Sequence, residues 1–131
     1  MQRLRDATRS GVYRTADARA VQEVTAGSAL DVVSIDAAQT PLQQIAEALA
    51  FPRWFGGNWD AVEDLLGDLS WRRGDGHVLV FSGYPDGDER RLLIDVLRSS
   101  AEYWAGRKKP FFAVFVDPAR KLPLPDLYRD P

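Results

Sequence analysis

The sequence predicts an α/β fold: a three-stranded, mostly parallel sheet packed against helices. Two observations predict it. Short apolar runs at 30–35, 78–81 and 111–116 are each bounded by Gly, Pro or Asp, and their β-branched and aromatic content suits strands buried on both faces. Segments of helical periodicity separate these runs, which is the alternation of βαβ units.

Each element has its own local warrant. The helix after the first run has Thr40 as N-cap and Pro41 at its first position, with Leu42, Ile45, Ala46 and Leu49 along one face, and it ends before Pro52. A second helix is expected over 58–69. A third, over 88–105, buries a stripe of Leu93, Val96, Leu97, Ala101 and Trp104. Gly106 stops it, and Arg107, Lys108 and Lys109 follow where cations favour a helix C-terminus. Residues 15–27 suit a short helix, preceded by a small strand at Val12 and Tyr13. The tail from Pro118, with Pro123, Pro125 and Pro131, is expected to be extended or partly disordered.

Composition narrows the function classes. The 131 residues suffice for one domain, and 45% hydrophobic with 27% charged residues is the balance of a soluble globular chain that buries its own core. There is no cysteine, which removes disulfides, thiolate zinc sites and a cysteine nucleophile; His77, the single histidine, makes no multi-histidine metal site alone. No metal or other cofactor is implied. The opening MQRLRDATRSG lacks the apolar run of a signal peptide, and no stretch approaches the ~18 residues of a membrane span, so a cytoplasmic protein is expected. A net charge of −2 argues against a general nucleic-acid binder. The basic groups Arg72-Arg73, Arg90-Arg91 and Arg107-Lys108-Lys109 read as solvated surface.

The informative stretch is FPRWFGGNWDAVEDLLGDLSW, residues 51–71. With Asn58 as cap, Trp59, Val62, Leu66 and Leu69 fall on one side of a helix, widened by Leu65, and Asp60, Glu63, Asp64 and Gly67 on the other. From Trp54 to Ser70 there are four acids and no base, so no cation within the helix offsets the repulsion. Asp60 and Glu63 near the helix start interact favourably with its dipole. Asp64 sits four residues from Asp60 without that benefit, and Asp68 lies near the C-terminus, where an anion is disfavoured. Such a face suits a cationic partner. Ahead of it, Gly56-Gly57 permits a tight turn and close approach, and Trp54 and Phe55 flank that turn.

These residues resemble the signature of the barstar family of ribonuclease inhibitors: Phe51-Pro52, Trp54-Phe55-Gly56, Asn58-Trp59-Asp60-Ala61, then Asp64 and the leucines. The resemblance extends more weakly over about 30–116, leaving an N-terminal extension, 1–29, and a C-terminal tail, 117–131, around the common core of a single domain. It implies an inhibitor that plugs a ribonuclease active site with this helix and the loop before it, the aspartates taking the place of substrate phosphate. By that resemblance Asp64 matches the central aspartate, Asp60 an earlier one, Trp54 an aromatic of the binding loop and Gly67 a small polar contact position. The family's further acid on the last helix has Glu102 as its candidate. Glu63 departs from the pattern, since the best-known member has tryptophan there. The expected partner-binding residues are Trp54, Phe55, Gly56, Asn58, Asp60, Glu63, Asp64, Gly67 and Asp68. The expected partner is a small secreted-type ribonuclease, with no direct contact to nucleic acid or membrane, and the free protein is expected to be a monomer without catalytic activity.

Two other readings compete. Asp60 and Asp64 could hold Mg²⁺ for hydrolytic chemistry, but the sequence has no phosphate-cradling loop after a strand and no nucleophile with a nearby base. A module of the same shape could instead bind a different basic protein, and Glu63 is the residue that favours this.

Overall fold

The three apolar runs are strands, and they run parallel. The computed structural model describes residues 3–127, with β1 at Gly11–Thr15, α1 at Ala18–Thr25, β2 at Asp31–Asp36, α2 at Pro41–Ala48, α3 at Trp59–Leu66, β3 at His77–Gly83, α4 at Gly87–Gly106 and β4 at Phe111–Val116. The sheet order is β1-β4-β3-β2, with His77 opposite Phe111 and Val33 opposite Leu79. β3 and β4 occupy the centre, and Val78 to Phe81 and Phe111 to Phe115 are buried on both faces. That burial is why their sequences are unbroken apolar runs rather than alternating ones.

Helices cover both faces. Val33, Ile35, Leu79, Phe81 and Phe115 meet Ile45 and Leu49 around α2, Val62 and Leu66 from α3, and Leu93, Leu97 and Trp104 from α4. On the other face Val78, Val80, Phe112 and Val114 meet Val21 from α1, together with Leu4 and Leu127. α3 therefore lies in a layer of three helices, packed between α2 and α4.

The sheet has four strands where three are expected. The fourth is β1, the small strand expected at Val12 and Tyr13, here longer and drawn into the sheet, pairing with β4 from Gly11 opposite Phe112 to Thr15 opposite Val116. Its five residues include the charged Arg14. In the structure the Arg14 guanidinium bonds Asp126 at 2.8 Å and the Leu122 carbonyl at 2.7 Å, partners more than 100 positions away. The tail is likewise extended but ordered as far as it is described. Leu122, Leu124 and Leu127 are buried, the Arg14 N–H donates to the Pro125 carbonyl, and the Leu127 N–H donates to that of Arg14. The prolines between those leucines have no N–H to leave unpaired, so a run along a sheet edge suits them. Asp117 holds the turn into this tail by accepting from the Lys121 and Leu122 N–H groups and the Tyr84 hydroxyl. Pro131 lies outside the described residues.

A second correction concerns Arg72, expected as solvated surface. Its Nε and Nη2 grip both oxygens of Asp31 at 2.7 and 3.0 Å, and the buried His77 lies 2.9 Å from the same carboxylate through Nδ1. An ionised carboxylate only accepts, so Nδ1 carries the proton. Burial alone would raise the Asp31 carboxyl, but the hydrogen bonds from Arg72 and His77 outweigh it and hold it below the usual carboxylate range. Burial pushes the His77 imidazole below its ordinary value, against the pull of Asp31.

Both shifts act in one direction. An unfolded chain takes up a proton on His77 near pH 6.5 and on Asp31 near pH 4, and the fold resists both. The folded state therefore loses ground as pH falls, first below about 6.5 through His77 and then below about 4 through Asp31. The urea midpoint is expected to decline steadily from pH 7.5 to pH 3.5; a midpoint that rises on acidification to pH 5 would contradict this arrangement.

Candidate partner-binding face

α2 ends with Ala50 in the left-handed region, φ 53°, while the Phe51 N–H returns to the Ala46 carbonyl. This closes the helix in a Schellman-type turn, and Pro52 follows where no helix can continue. The Phe55 N–H then donates to the Pro52 carbonyl at 3.0 Å, making a tight turn with Arg53 and Trp54 at its tip. The two adjacent aromatics part company there. Trp54 is 72% exposed, while Phe55 turns edge-on to Phe51 with ring centres 5.2 Å apart. Phe55 thus mainly supports the loop, and Trp54 is the residue the loop presents.

Gly56 and Gly57 carry the chain into α3, and Gly57 has φ 73°, which a side chain would strain. Asn58 caps the helix as expected, its Oδ1 accepting from the Ala61 N–H at 2.8 Å. Val62, Leu65 and Leu66 are buried, and Asp60, Glu63 and Asp64 point to solvent. α3 stops at Leu66, three residues short of the expected end. Leu69 still reaches the core, but by a left-handed backbone, φ 49°, rather than by helical phase. That bend leaves Asp68 exposed beyond the helix terminus.

Two tryptophans fix this segment to its neighbours. The Trp104 indole N–H donates to the carbonyl of Leu66, the last residue of α3, at 2.7 Å, and that of Trp71 donates to the Leu49 carbonyl behind α2 at 2.9 Å. Both meet carbonyls that a helix end leaves without an internal partner. The acidic face is held in place from behind, with its own side chains left out of the scaffold.

Among the described residues, Asp60, Glu63, Asp64 and Asp68 make no ion pair and accept no side-chain hydrogen bond. Asp86 and Asp88 by contrast stand near Arg90 and Arg91 at 3.9 and 3.7 Å, and the other acids without an ion pair, such as Glu23, Glu47 and Asp95, are scattered rather than clustered. Four carboxylates in nine residues, none ion-paired among the described residues, therefore form a local negative field. No group of three or more His, Asp or Glu among the described residues is placed to hold a metal ion.

Beside α3 lies a cleft of about 330 Å³, lined by Glu63, Asp64 and Gly67 on one wall and Ser99, Ser100 and Tyr103 of α4 on the other. The two walls come close at Gly67, where a Cβ would stand in ordinary contact, 3.9 Å, with the Tyr103 ring. Arg107 lies over that ring, its guanidinium carbon 5.5 Å from the centroid. Glu102 is elsewhere. It lines the opposite flank of α4 with Ser10, Val12, Tyr13 and Pro125, so it is not the α4 residue facing α3. That place belongs to Ser99 and Tyr103, which sequence reasoning missed. The apolar stripe of α4 marks its buried side but not which edge of that stripe turns toward α3, and the structure puts positions 99 and 103 there.

Comparison with known proteins places this geometry. No curated protein and no solved structure matches the chain. The Barstar (barnase inhibitor) family matches residues 28–116, from just before β2 through β4, and so takes in the loop of Trp54, α3 and the cleft. With more than half of its length matched to that family, the chain belongs to the barstar family.

Proposed function

We propose that the protein is an intracellular, monomeric inhibitor that blocks the cationic active site of a small ribonuclease with α3 and the loop before it. The observation that carries this is the set of unpaired carboxylates, Asp60, Glu63, Asp64 and Asp68, beside the exposed ring of Trp54. A ribonuclease active site is cationic because it binds phosphate, and a rigid acidic helix is complementary to it in charge. The field of the acids speeds encounter, and the charges desolvated at the centre govern dissociation. Family membership supports the same reading. No helix among the described residues is long and apolar enough to cross a membrane. In this reading Trp54, Gly56, Asn58, Asp60, Glu63, Asp64, Gly67 and Asp68 meet the partner, and Phe55 holds the loop from within.

Titration of guanyl-preferring ribonucleases, including those of the source cell, is expected to end sharply near one inhibitor per enzyme. No inhibition across such a panel at micromolar protein would overturn the reading. Glu63 favours a second one, a module of the same shape for another basic protein, because a carboxylate there adds charge where the best-known family member has an apolar ring.

A further inference from the structure

The acidic face alone is small. A stable protein–protein contact takes roughly 20–30 residues and about 800 Å² from each side, whereas the positions on and before α3 number about ten. Charge also steers better than it holds, since the strongest anchors of interfaces are apolar or aromatic side chains at their centre. α3 offers no markedly exposed one: Trp59 is half-buried against the core, and Val62, Leu65 and Leu66 are buried. Its own apolar residues face the core, and Glu63 stands where an outward apolar group would be most central.

Three large apolar side chains are markedly exposed among the described residues: Trp54 at 72%, Leu92 at 45% and Tyr103 at 46%. Trp54 is on the loop entering α3. Leu92 and Tyr103 lie on α4, with Ser99 between them at spacings of seven and four residues, two turns and one, so the three share one line along the helix. Ser99 and Tyr103 form the α4 wall of the cleft, which places that line on the α3 side. The distance from Leu92 to Tyr103 along the axis is roughly 16 Å at 1.5 Å per residue. The exposed apolar groups therefore flank the acidic face rather than scatter over the molecule.

We infer that the partner-binding surface crosses the cleft onto α4, where Leu92 and Tyr103 are its apolar anchors. The inference rests on the reading of α3 as the partner-facing helix. The occupant is a folded protein whose basic site is bordered by apolar surface: the acids take the basic groups, and Leu92 and Tyr103 take the border. Arg107 lies over the Tyr103 ring, and the same ring lines the cleft.

The two kinds of contact separate kinetically. With an inhibited ribonuclease as probe, Leu92→Ser and Tyr103→Ser are each expected to speed dissociation by roughly tenfold, leaving the association rate and its salt dependence unchanged. Asp60→Asn should instead slow association and flatten that salt dependence. Both α4 side chains are at the surface, and melts of the free variants near the parent value confirm that the fold is intact. Dissociation within twofold of the parent for both α4 variants, while Asp60→Asn slows association, overturns the inference and leaves the inhibitor reading standing. If no ribonuclease is bound, that reading has failed on its own, and titration of the free protein with isopropanol, followed by amide shifts, tests the surface. Saturable shifts concentrated at Trp54, Leu92, Ser99 and Tyr103 support it, and their absence there overturns it.

Discussion

Asp64→Ala is expected to weaken the complex with the ribonuclease by a factor of roughly 30 or more, while the free protein stays as stable or becomes slightly more so. The two halves have different causes. In the proposed complex the partner's cations would have given up water to meet a carboxylate, and alanine would leave them buried without one. In the free protein Asp64 has no partner among the described residues, sits one position from Glu63 and four from Asp60, and belongs to the exposed side of α3. Removing it relieves like-charge repulsion and introduces the best helix former. Urea melts of both proteins and dissociation constants in one buffer test the pair of statements. A variant that melts clearly earlier yet binds as before would mean that Asp64 serves the fold.

Trp104 should show the opposite pattern. Its ring is buried between His77, 5.7 Å from centroid to centroid, and the edge of Tyr103, and its indole N–H meets the Leu66 carbonyl. Trp104→Phe keeps most of the packing but leaves that carbonyl without its donor, which costs about 1–3 kcal/mol of stability. Trp104→Ala adds a cavity, for a total of about 3–5 kcal/mol. Both variants loosen the C-terminal end of α3, so affinity should fall as well, but only alongside the melt midpoint. A phenylalanine variant that melts with the parent protein would show that the indole hydrogen bond does not hold α3.

Much of this molecule was legible before its structure, because local chemistry decides much of it. The runs that became β2, β3 and β4 are apolar since they are buried on both faces, and Asn58 reads as a cap since few residues can satisfy the first N–H groups of a helix. What stayed hidden depends on distant residues. The small strand at Val12 and Tyr13 is expected, but its place at the sheet edge is not, because the tail holds it there through Arg14 with Asp126 and Leu122. Arg72 reads as one half of a solvated doublet until Asp31 closes on it. Leu69 keeps the helical phase of α3 in sequence but reaches the core by a left-handed bend. The site shows the same division: the acids of α3 announce themselves by spacing, whereas the exchange of Glu102 for Ser99 and Tyr103 follows from how α4 is rotated against α3.

The pairing of β1 with β4, sealed by the tail, also sets a clock. Gly11 emerges from the ribosome about 100 residues before Phe112, its partner, and Arg14 before Asp126. At roughly 5–20 residues per second β1 waits between about five and twenty seconds with its edge unpaired. α3 is made midway through that interval, but the tryptophan that anchors it is at position 104. A nascent chain thus displays its acids before it has the frame that aims them. In the proposed role, readiness to bind the partner would come with the closing of the sheet, and slowing translation after residue 70 would lengthen the period before the acidic face is framed.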